Sequence, residues 1–206
     1  MGHLTSLPVW AIDRLRMATD GVGVTTLVTS HGCPLRCKYC LNPKSTDPAT
    51  TVKNYTPEEL LAAVRRDALY FLATGGGVCF GGGEPLLYAD FISDFAEIAP
   101  KDWNLYVETC LNVPRENVVK VCGKIARFYV DIKDANPEIY RAYTGGDARP
   151  ATENLAFLVA SVGTERVTVR VPHIPGYNTE EDRQRTVEKL KQIGCTQFDL
   201  FEYKIP

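Results

Sequence analysis

Residues 24–40 read VTTLVTSHGCPLRCKYC, a β-branched run followed by three closely spaced cysteines. Valine and threonine favour extended structure, so residues 24–30 are predicted to form a strand. Cys33, Cys37 and Cys40 then fall in the loop after this strand, in C-x3-C-x2-C spacing. In a parallel sheet such a loop lies at the C-terminal edge, where the active sites of α/β proteins gather.

Further along the chain, short apolar segments alternate with helical patterns. Strands are predicted at 78–80, 105–107, 128–133, 167–171 and 197–203, with capping residues such as Thr56 and Thr179 opening the helices between them. Strands separated by helices pair in parallel through right-handed crossovers. The sequence thus predicts an α/β fold, either an open doubly wound sheet or an incomplete β/α barrel. No linker or repeat divides residues 1–206, which are predicted to be one domain.

The composition excludes several classes of protein. The chain has 206 residues, is 45% hydrophobic and carries a formal net charge of −2. This apolar content excludes intrinsic disorder, and the charge is too low for a nucleic-acid binder driven by a basic surface. No secretory leader or membrane-spanning run is predicted. An odd count of seven cysteines argues against a disulfide scaffold, so we expect reduced thiols and a cytoplasmic location.

The three clustered cysteines predict a metal centre. A structural zinc site is one interpretation, but it wants a fourth ligand, and His31 lies only two residues before Cys33, which is poor spacing for a closed site. An iron–sulfur cubane normally takes four cysteines, so three would leave one iron open for another ligand. We therefore favour a 4Fe–4S cluster held by Cys33, Cys37 and Cys40 over zinc.

The cysteine loop and four further motifs, in the same order, resemble a known family. They are DGVG at 20–23, GGEPLL at 82–87, DIK at 131–133 and RVPHIPGYN at 170–178. The cysteine loop, with Tyr39 before its last cysteine, resembles the signature of radical S-adenosylmethionine (SAM) enzymes. The ordered set resembles the activating enzymes of glycyl radical enzymes, over residues 19 to 203.

The resemblance implies a fold, a reaction and partners. The fold is a partial (β/α)6 radical SAM barrel with a parallel sheet. One cluster on Cys33, Cys37 and Cys40 binds SAM at its open iron and cleaves it reductively to a 5'-deoxyadenosyl radical. The radical abstracts a glycine Cα hydrogen from a glycyl radical enzyme under anaerobic conditions. A flavodoxin- or ferredoxin-type protein supplies electrons, and the enzyme is expected to be a monomer that binds neither nucleic acid nor membrane.

The same resemblance assigns residues to the cofactors. Tyr39 is expected to pack against adenine, Glu84 to accept a hydrogen bond from the SAM ammonium, and Lys133 and Arg170 to face the SAM carboxylate or nearby acids. The remaining cofactor residues lie at strand ends: Gly82, Gly83, Glu108, Thr109 and Asp131.

Three departures from the family pattern concern this site. Glu108 stands where the resembling activase has an aspartate. The resemblance implies that Glu108, Thr109 and Asp131 hold a monovalent cation. Leu41 stands where family members usually have histidine, and Leu111 where many have glycine. With no cysteine between Cys40 and Cys79, no auxiliary cluster is expected.

Two other functions stay open from the sequence alone. One is a radical SAM enzyme that modifies another peptide or a small molecule. The other is a non-catalytic iron–sulfur or SAM-binding protein, which would have no need of Gly82, Gly83 and Glu84 or of the Glu108 and Asp131 pair.

Overall fold

The structure is a computed structural model that describes residues 5–17 and 19–203. Eight strands form one sheet. They are β1 (Leu7–Met17), β2 (Val24–Ser30), β3 (Lys53–Tyr55), β4 (Gly77–Gly82), β5 (Asn104–Thr109), β6 (Arg127–Asp131), β7 (Val167–His173) and β8 (Gln197–Glu202).

The strand order is β3-β1-β2-β4-β5-β6-β7-β8. Neighbouring strands are parallel along the β2-β4-β5-β6-β7-β8 part of this order, and these are the six strands that the sequence predicts. β1 and β3 were not predicted; β1 pairs antiparallel with both β2 and β3. Because β3 and β8 remain at opposite edges, the sheet is not closed, which confirms the predicted α/β partial barrel.

Seven helices connect the strands in the described part of the chain. They are α1 (Pro57–Val64), α2 (Ala68–Thr74), α3 (Ala89–Ile98), α4 (Arg115–Val121), α5 (Pro137–Thr144), α6 (Ala148–Val162) and α7 (Glu180–Gln192). The caps predicted at Thr56 and Thr179 are both present as capping boxes, in which side chain and backbone bond reciprocally with Glu59 and Asp182. These caps fix where α1 and α7 begin.

The hydrophobic core lies between the sheet and its covering helices. Phe80, Val107, Phe128 and Val169 on the central strands are fully buried, as expected for parallel strands covered on a face by helices. No helix among the described residues is long and apolar enough to cross a membrane. The core thus holds the strands in register, and the residues at their C-terminal ends are available to form a site.

Candidate active site

A cavity of about 820 Å³ opens at the C-terminal ends of the parallel strands. The residues that line it come from three sources: the cysteine loop, the ends of the strands, and the antiparallel strand β1. The lining includes Cys33, Cys37, Cys40, Gly82, Gly83, Glu108, Thr109, Cys110, Asp131, Lys133, Arg170 and Tyr203, and Trp10, Ile12 and Arg16 from β1. Most of the predicted site residues therefore face one space.

The cysteine loop is held by backbone hydrogen bonds to other parts of the chain. Gly32 N–H donates to the Ser45 carbonyl (2.6 Å), and Arg36 N–H donates to the carbonyl of Thr144 at the end of α5 (2.8 Å). The Arg36 side chain folds back and donates to the Cys33 carbonyl at 2.6 Å. These bonds fix the path of the loop so that its three cysteines face the cavity.

The donor chemistry of this loop fits an iron–sulfur cluster. All seven cysteines are free thiols, and Cys33, Cys37 and Cys40 share the cavity wall. Among the described residues, no three histidine, cysteine or acidic side chains are grouped so as to hold a single metal ion. In a cubane cluster each cysteine binds a different iron, so its ligands stand farther apart than those of one ion. Thiolates are the usual protein ligands of such clusters.

Two of these thiols have shifted pKa values. A hydrogen bond from Cys110 lowers the pKa of Cys33, while burial raises the pKa of Cys37 to about 11. Cys110 is buried and packs with Leu35 against both thiols. The structure thus places Cys110, the residue that directly follows β5, against the cysteine loop.

The glycines at the end of β4 allow close packing against this loop. A Cβ on Gly83 would collide with the carbonyl oxygen of Gly32. Gly82 has φ +90°, a conformation that favours glycine, and a Cβ there would lie 2.7 Å from the Thr29 Cβ. Both glycines line the cavity, so here the backbone rather than side chains is presented to a ligand.

Glu84 lies behind the cavity wall. Its side chain is fully buried and does not line the cavity. One oxygen accepts from the Thr109 hydroxyl (2.7 Å) and the Leu86 N–H (3.0 Å), and the other accepts from the Cys110 N–H (2.7 Å). Burial raises the pKa of this carboxyl. The carboxylate ties the end of β4 to the end of β5, and its expected bond to the SAM ammonium stays a prediction.

Glu108, Asp131, Lys133 and Arg170 form the charged part of the cavity. Arg170 Nη1 donates to Glu108 Oε1 at 2.7 Å, and Lys133 Nζ lies 3.3 Å from Asp131 Oδ1. Burial raises the pKa of Glu108. Burial also lowers the pKa of Lys133, but Asp131 and other neighbours raise it by more, so the amine stays charged.

Tyr39 lies in a cluster of four tyrosines beside the cavity. Its ring contacts Tyr143 and Tyr177 edge to face, with centroids 5.9 and 5.8 Å apart, and its hydroxyl donates to the Pro175 carbonyl at 3.3 Å. The ring does not line the cavity, whereas Tyr203 of the same cluster does. A role for Tyr39 in packing against adenine stays a prediction.

Leu111 has a left-handed backbone, a conformation that favours glycine. Its φ is +53°, and its side chain is fully buried. Its N–H donates to the Thr109 hydroxyl at 2.9 Å. The chain turns sharply here after β5, and Thr109 is held facing Glu84 as a result.

Sequence reasoning missed the contribution of β1 to the cavity. Trp10, Ile12 and Arg16 face the cavity although none of them belongs to a motif that the sequence analysis named. Arg16 forms an ion pair with the buried Asp20 of the DGVG motif. The signal was weak because β1 is antiparallel and lies outside the β/α alternation on which the prediction relied.

Comparison with known proteins identifies the class of this molecule. The family model described as the radical SAM superfamily matches residues 27–196. The solved structure of SuiB from Streptococcus suis bound to S-adenosylmethionine has the same fold, with a TM-score of 0.65 and 12% identity. It aligns with 84% of this chain, which spans 39% of that one. This chain belongs to the radical SAM superfamily, which implies a 4Fe–4S cluster and SAM as cofactors.

Curated relatives narrow this assignment to a group of activating enzymes. Pyruvate formate-lyase-activating enzyme of Clostridium pasteurianum is 32% identical over 174 residues, covering 84% of this chain and 71% of the relative. 4-Hydroxyphenylacetate decarboxylase activating enzyme of Clostridioides difficile is 26% identical, covering 79% and 71%. The chain is thus an enzyme of the radical SAM family to which these activating enzymes belong.

Proposed function

We propose that this enzyme activates a glycyl radical enzyme by removing a hydrogen atom from the Cα of a glycine in that partner protein. The single observation that carries the proposal is the set of matched motifs that faces one cavity. The curated relatives are named as activating enzymes of this kind. An open sheet also suits a protein substrate, because the described strands β3 and β8 leave the barrel unclosed.

Cys33, Cys37 and Cys40 are proposed to ligate the cluster. All three line the cavity, and the hydrogen bonds of Arg36 hold their loop in one conformation. When bound, the cluster supplies one electron to SAM, which yields methionine and a 5'-deoxyadenosyl radical. The protein contributes by holding the ligands, shielding the site from water and aligning the substrate.

The remaining predicted residues are proposed to position SAM. The backbone of Gly82 and Gly83 lines the cavity and offers polar groups without side chains. Lys133 is charged and 7% exposed, so it is placed to bind a carboxylate. Glu84 acts on this surface through Thr109 and Cys110, whose positions it fixes.

Several finer statements belong to the same proposal. They are the flavodoxin- or ferredoxin-type electron donor, the monomeric state, a cytoplasmic location and the description of residues 1–206 as one radical SAM domain. The monovalent cation that the resemblance implies at Glu108, Thr109 and Asp131 is not part of this proposal. Binding to nucleic acid or to membranes is not part of the proposed activity.

The test is electron paramagnetic resonance of the partner. The enzyme is reconstituted anaerobically, reduced with dithionite and incubated with SAM and a large enzyme that carries a glycyl radical loop, chosen from a neighbouring gene. A glycyl radical doublet is expected, and it should vanish when the loop glycine of the partner is changed to alanine. Formation of 5'-deoxyadenosine without any doublet would contradict the proposed substrate and favour another peptide or a small molecule.

A further inference from the structure

Three buried or half-buried acids that line the cavity each have a cationic side chain of the protein beside them. The matched pairs are Asp20 with Arg16, Glu108 with Arg170 and Asp131 with Lys133. The acidic side chains are 3%, 17% and 24% exposed, so these pairs are partly shielded from water. Each of these three carboxylates is thus already in contact with a positive charge of the protein.

Arg170 is held in place by groups from several elements. Its guanidinium extends from β7 across β6, with its carbon 4.9 Å from the centroid of the Tyr129 ring, and reaches Glu108 on β5. Nη2 donates to the Thr19 carbonyl at 3.0 Å, and Nε lies 3.7 Å from Asp199 Oδ2. A planar group fixed at so many points loses little freedom on binding its carboxylate.

The length of Glu108 makes this pair possible. Gly81 on β4 has no side chain, and Glu108 Oε2 lies 3.0 Å from the position that a Cβ on Gly81 would occupy. The Glu108 side chain therefore extends over Gly81 while its Oε1 accepts from Arg170. An aspartate at this position would be shorter by one methylene and would fall short of the guanidinium.

The other two predicted cation ligands also have partners in the protein. The Thr109 hydroxyl donates to Glu84 at 2.7 Å and accepts from the Leu111 N–H at 2.9 Å. Asp131 faces the amine of Lys133 at 3.3 Å. An alkali ion here would have to compete with the hydrogen bonds of Thr109, and with Arg170 and Lys133 for the carboxylates of Glu108 and Asp131.

We infer that the guanidinium of Arg170 takes the place of the monovalent cation in this chain, so that SAM binding requires neither Na⁺ nor K⁺. This inference rests on the proposed function, because it concerns the SAM site. Arg170 is thus a positioning residue: it holds the Glu108 carboxylate and supplies the positive charge that an ion would otherwise bring.

The first test measures SAM affinity of the cluster-loaded enzyme by anaerobic calorimetry. The chloride salts of sodium, potassium and tetramethylammonium are compared at one ionic strength and pH. The dissociation constant of the wild type is expected to change by less than about twofold among the three salts. Weaker binding in tetramethylammonium by about fivefold or more would overturn the inference.

Two variants test the role of Arg170 itself. Arg170→Gln removes the charge, and Na⁺ or K⁺ should then strengthen SAM binding by at least about fivefold over tetramethylammonium. Arg170→Lys is the matched control, since it keeps a cation and should stay insensitive to the salt. If Arg170→Gln is as insensitive as the wild type, Arg170 does not act in place of an ion and the inference is wrong.

A second readout does not depend on SAM affinity. Glu108→Asp should open the site, so the ²³Na resonance should broaden in the presence of this variant and sharpen again when K⁺ is added. The wild type should show no such specific broadening, and K⁺-reversible broadening with the wild type would contradict the inference. Failure of the wild type to bind SAM in any salt would instead count against the proposed function.

Discussion

Two ion pairs between an acid and an arginine lie at different places on the sheet, and the pKa values of their carboxyl groups shift in opposite directions. Asp67, packed near the start of β2, accepts from the Arg14 guanidinium and from the Thr26 hydroxyl, the latter at 2.7 Å. Glu108, at the end of β5, accepts from Arg170 but faces Asp20 and Asp131. Burial raises the pKa of both carboxyls, yet the bonds to Asp67 lower its pKa overall, whereas Glu108 keeps a raised pKa.

This difference separates a structural pair from a functional one. The Asp67 carboxylate is fully buried and its partners stabilise its charged form, so the pair serves the fold. Glu108 borders a cavity and lies among like charges, an arrangement typical of binding sites. Changes to the cluster-binding and charged side chains that line the cavity should therefore alter chemistry with little loss of stability, and changes near Asp67 should do the reverse.

The largest expected effect is at the cysteine loop. Cys37→Ala should lower the rate of 5'-deoxyadenosine formation by at least about 100-fold, because a cluster ligand is lost. The thermal midpoint of the cluster-free protein should be nearly unchanged. Cys195→Ala is the control, since Cys195 is a buried core thiol outside the cavity, and it should retain activity. Full activity in Cys37→Ala would refute the proposed ligation.

Asp67→Ala should produce the opposite result. Removing this carboxylate leaves Arg14 and Thr26 without their acceptor, and we expect a loss of about 2–3 kcal/mol in the free energy of unfolding. Urea unfolding measures this loss. SAM affinity of the folded variant should match that of the wild type. An unchanged free energy of unfolding would show that the Asp67 carboxylate does not stabilise the fold.

Gly83→Ala tests the contact between β4 and the cysteine loop. The added methyl would collide with the Gly32 carbonyl, so stability should fall by about 1–3 kcal/mol and the iron content after reconstitution should fall as well. Gly123→Ala is the matched control because a Cβ there meets no atom within 4 Å. Equal iron content in the two variants would show that the close contact is not needed to shape the loop.

The smallest predicted effect is a dependence of stability on pH. The folded-state pKa of Asp67 lies below its ordinary value of 3.8, so its contribution is fully present above that value and is lost as the pH falls through the lower folded pKa. The difference in stability between the wild type and Asp67→Ala should be constant from neutral pH down to about 5 and shrink only below 3.8. A difference that shrinks near neutral pH would show that another group is responsible.

The sequence was sufficient to predict the parallel part of the fold. Segments such as 24–30 and 167–171 are β-branched and alternate with capped helices, so their type and order were readable. β1 and β3 were not predicted, since β3 has only three residues and β1 pairs antiparallel, with Pro8 near its start and polar residues in its second half. Neither strand produces the periodic signal on which prediction relies.

The site was predictable in its location but not in its contacts. Strand ends in a parallel sheet lie at one edge, so Glu108, Asp131 and Arg170 were expected together. That Arg170 reaches Glu108 across β6, over Tyr129, depends on side-chain direction and strand order, which spacing does not encode. The inward turn of Glu84 toward Thr109 likewise depends on packing.

The central claim is that the C-terminal edge of the sheet holds a cluster on three loop cysteines and cleaves SAM there. The most direct measurement is the yield of 5'-deoxyadenosine from anaerobically reconstituted wild-type enzyme given dithionite and SAM, with the cluster checked by its absorbance and iron content. The account predicts 5'-deoxyadenosine and methionine in equal amounts, and neither product from Cys37→Ala. An intact cluster that yields no 5'-deoxyadenosine with bound SAM would contradict it.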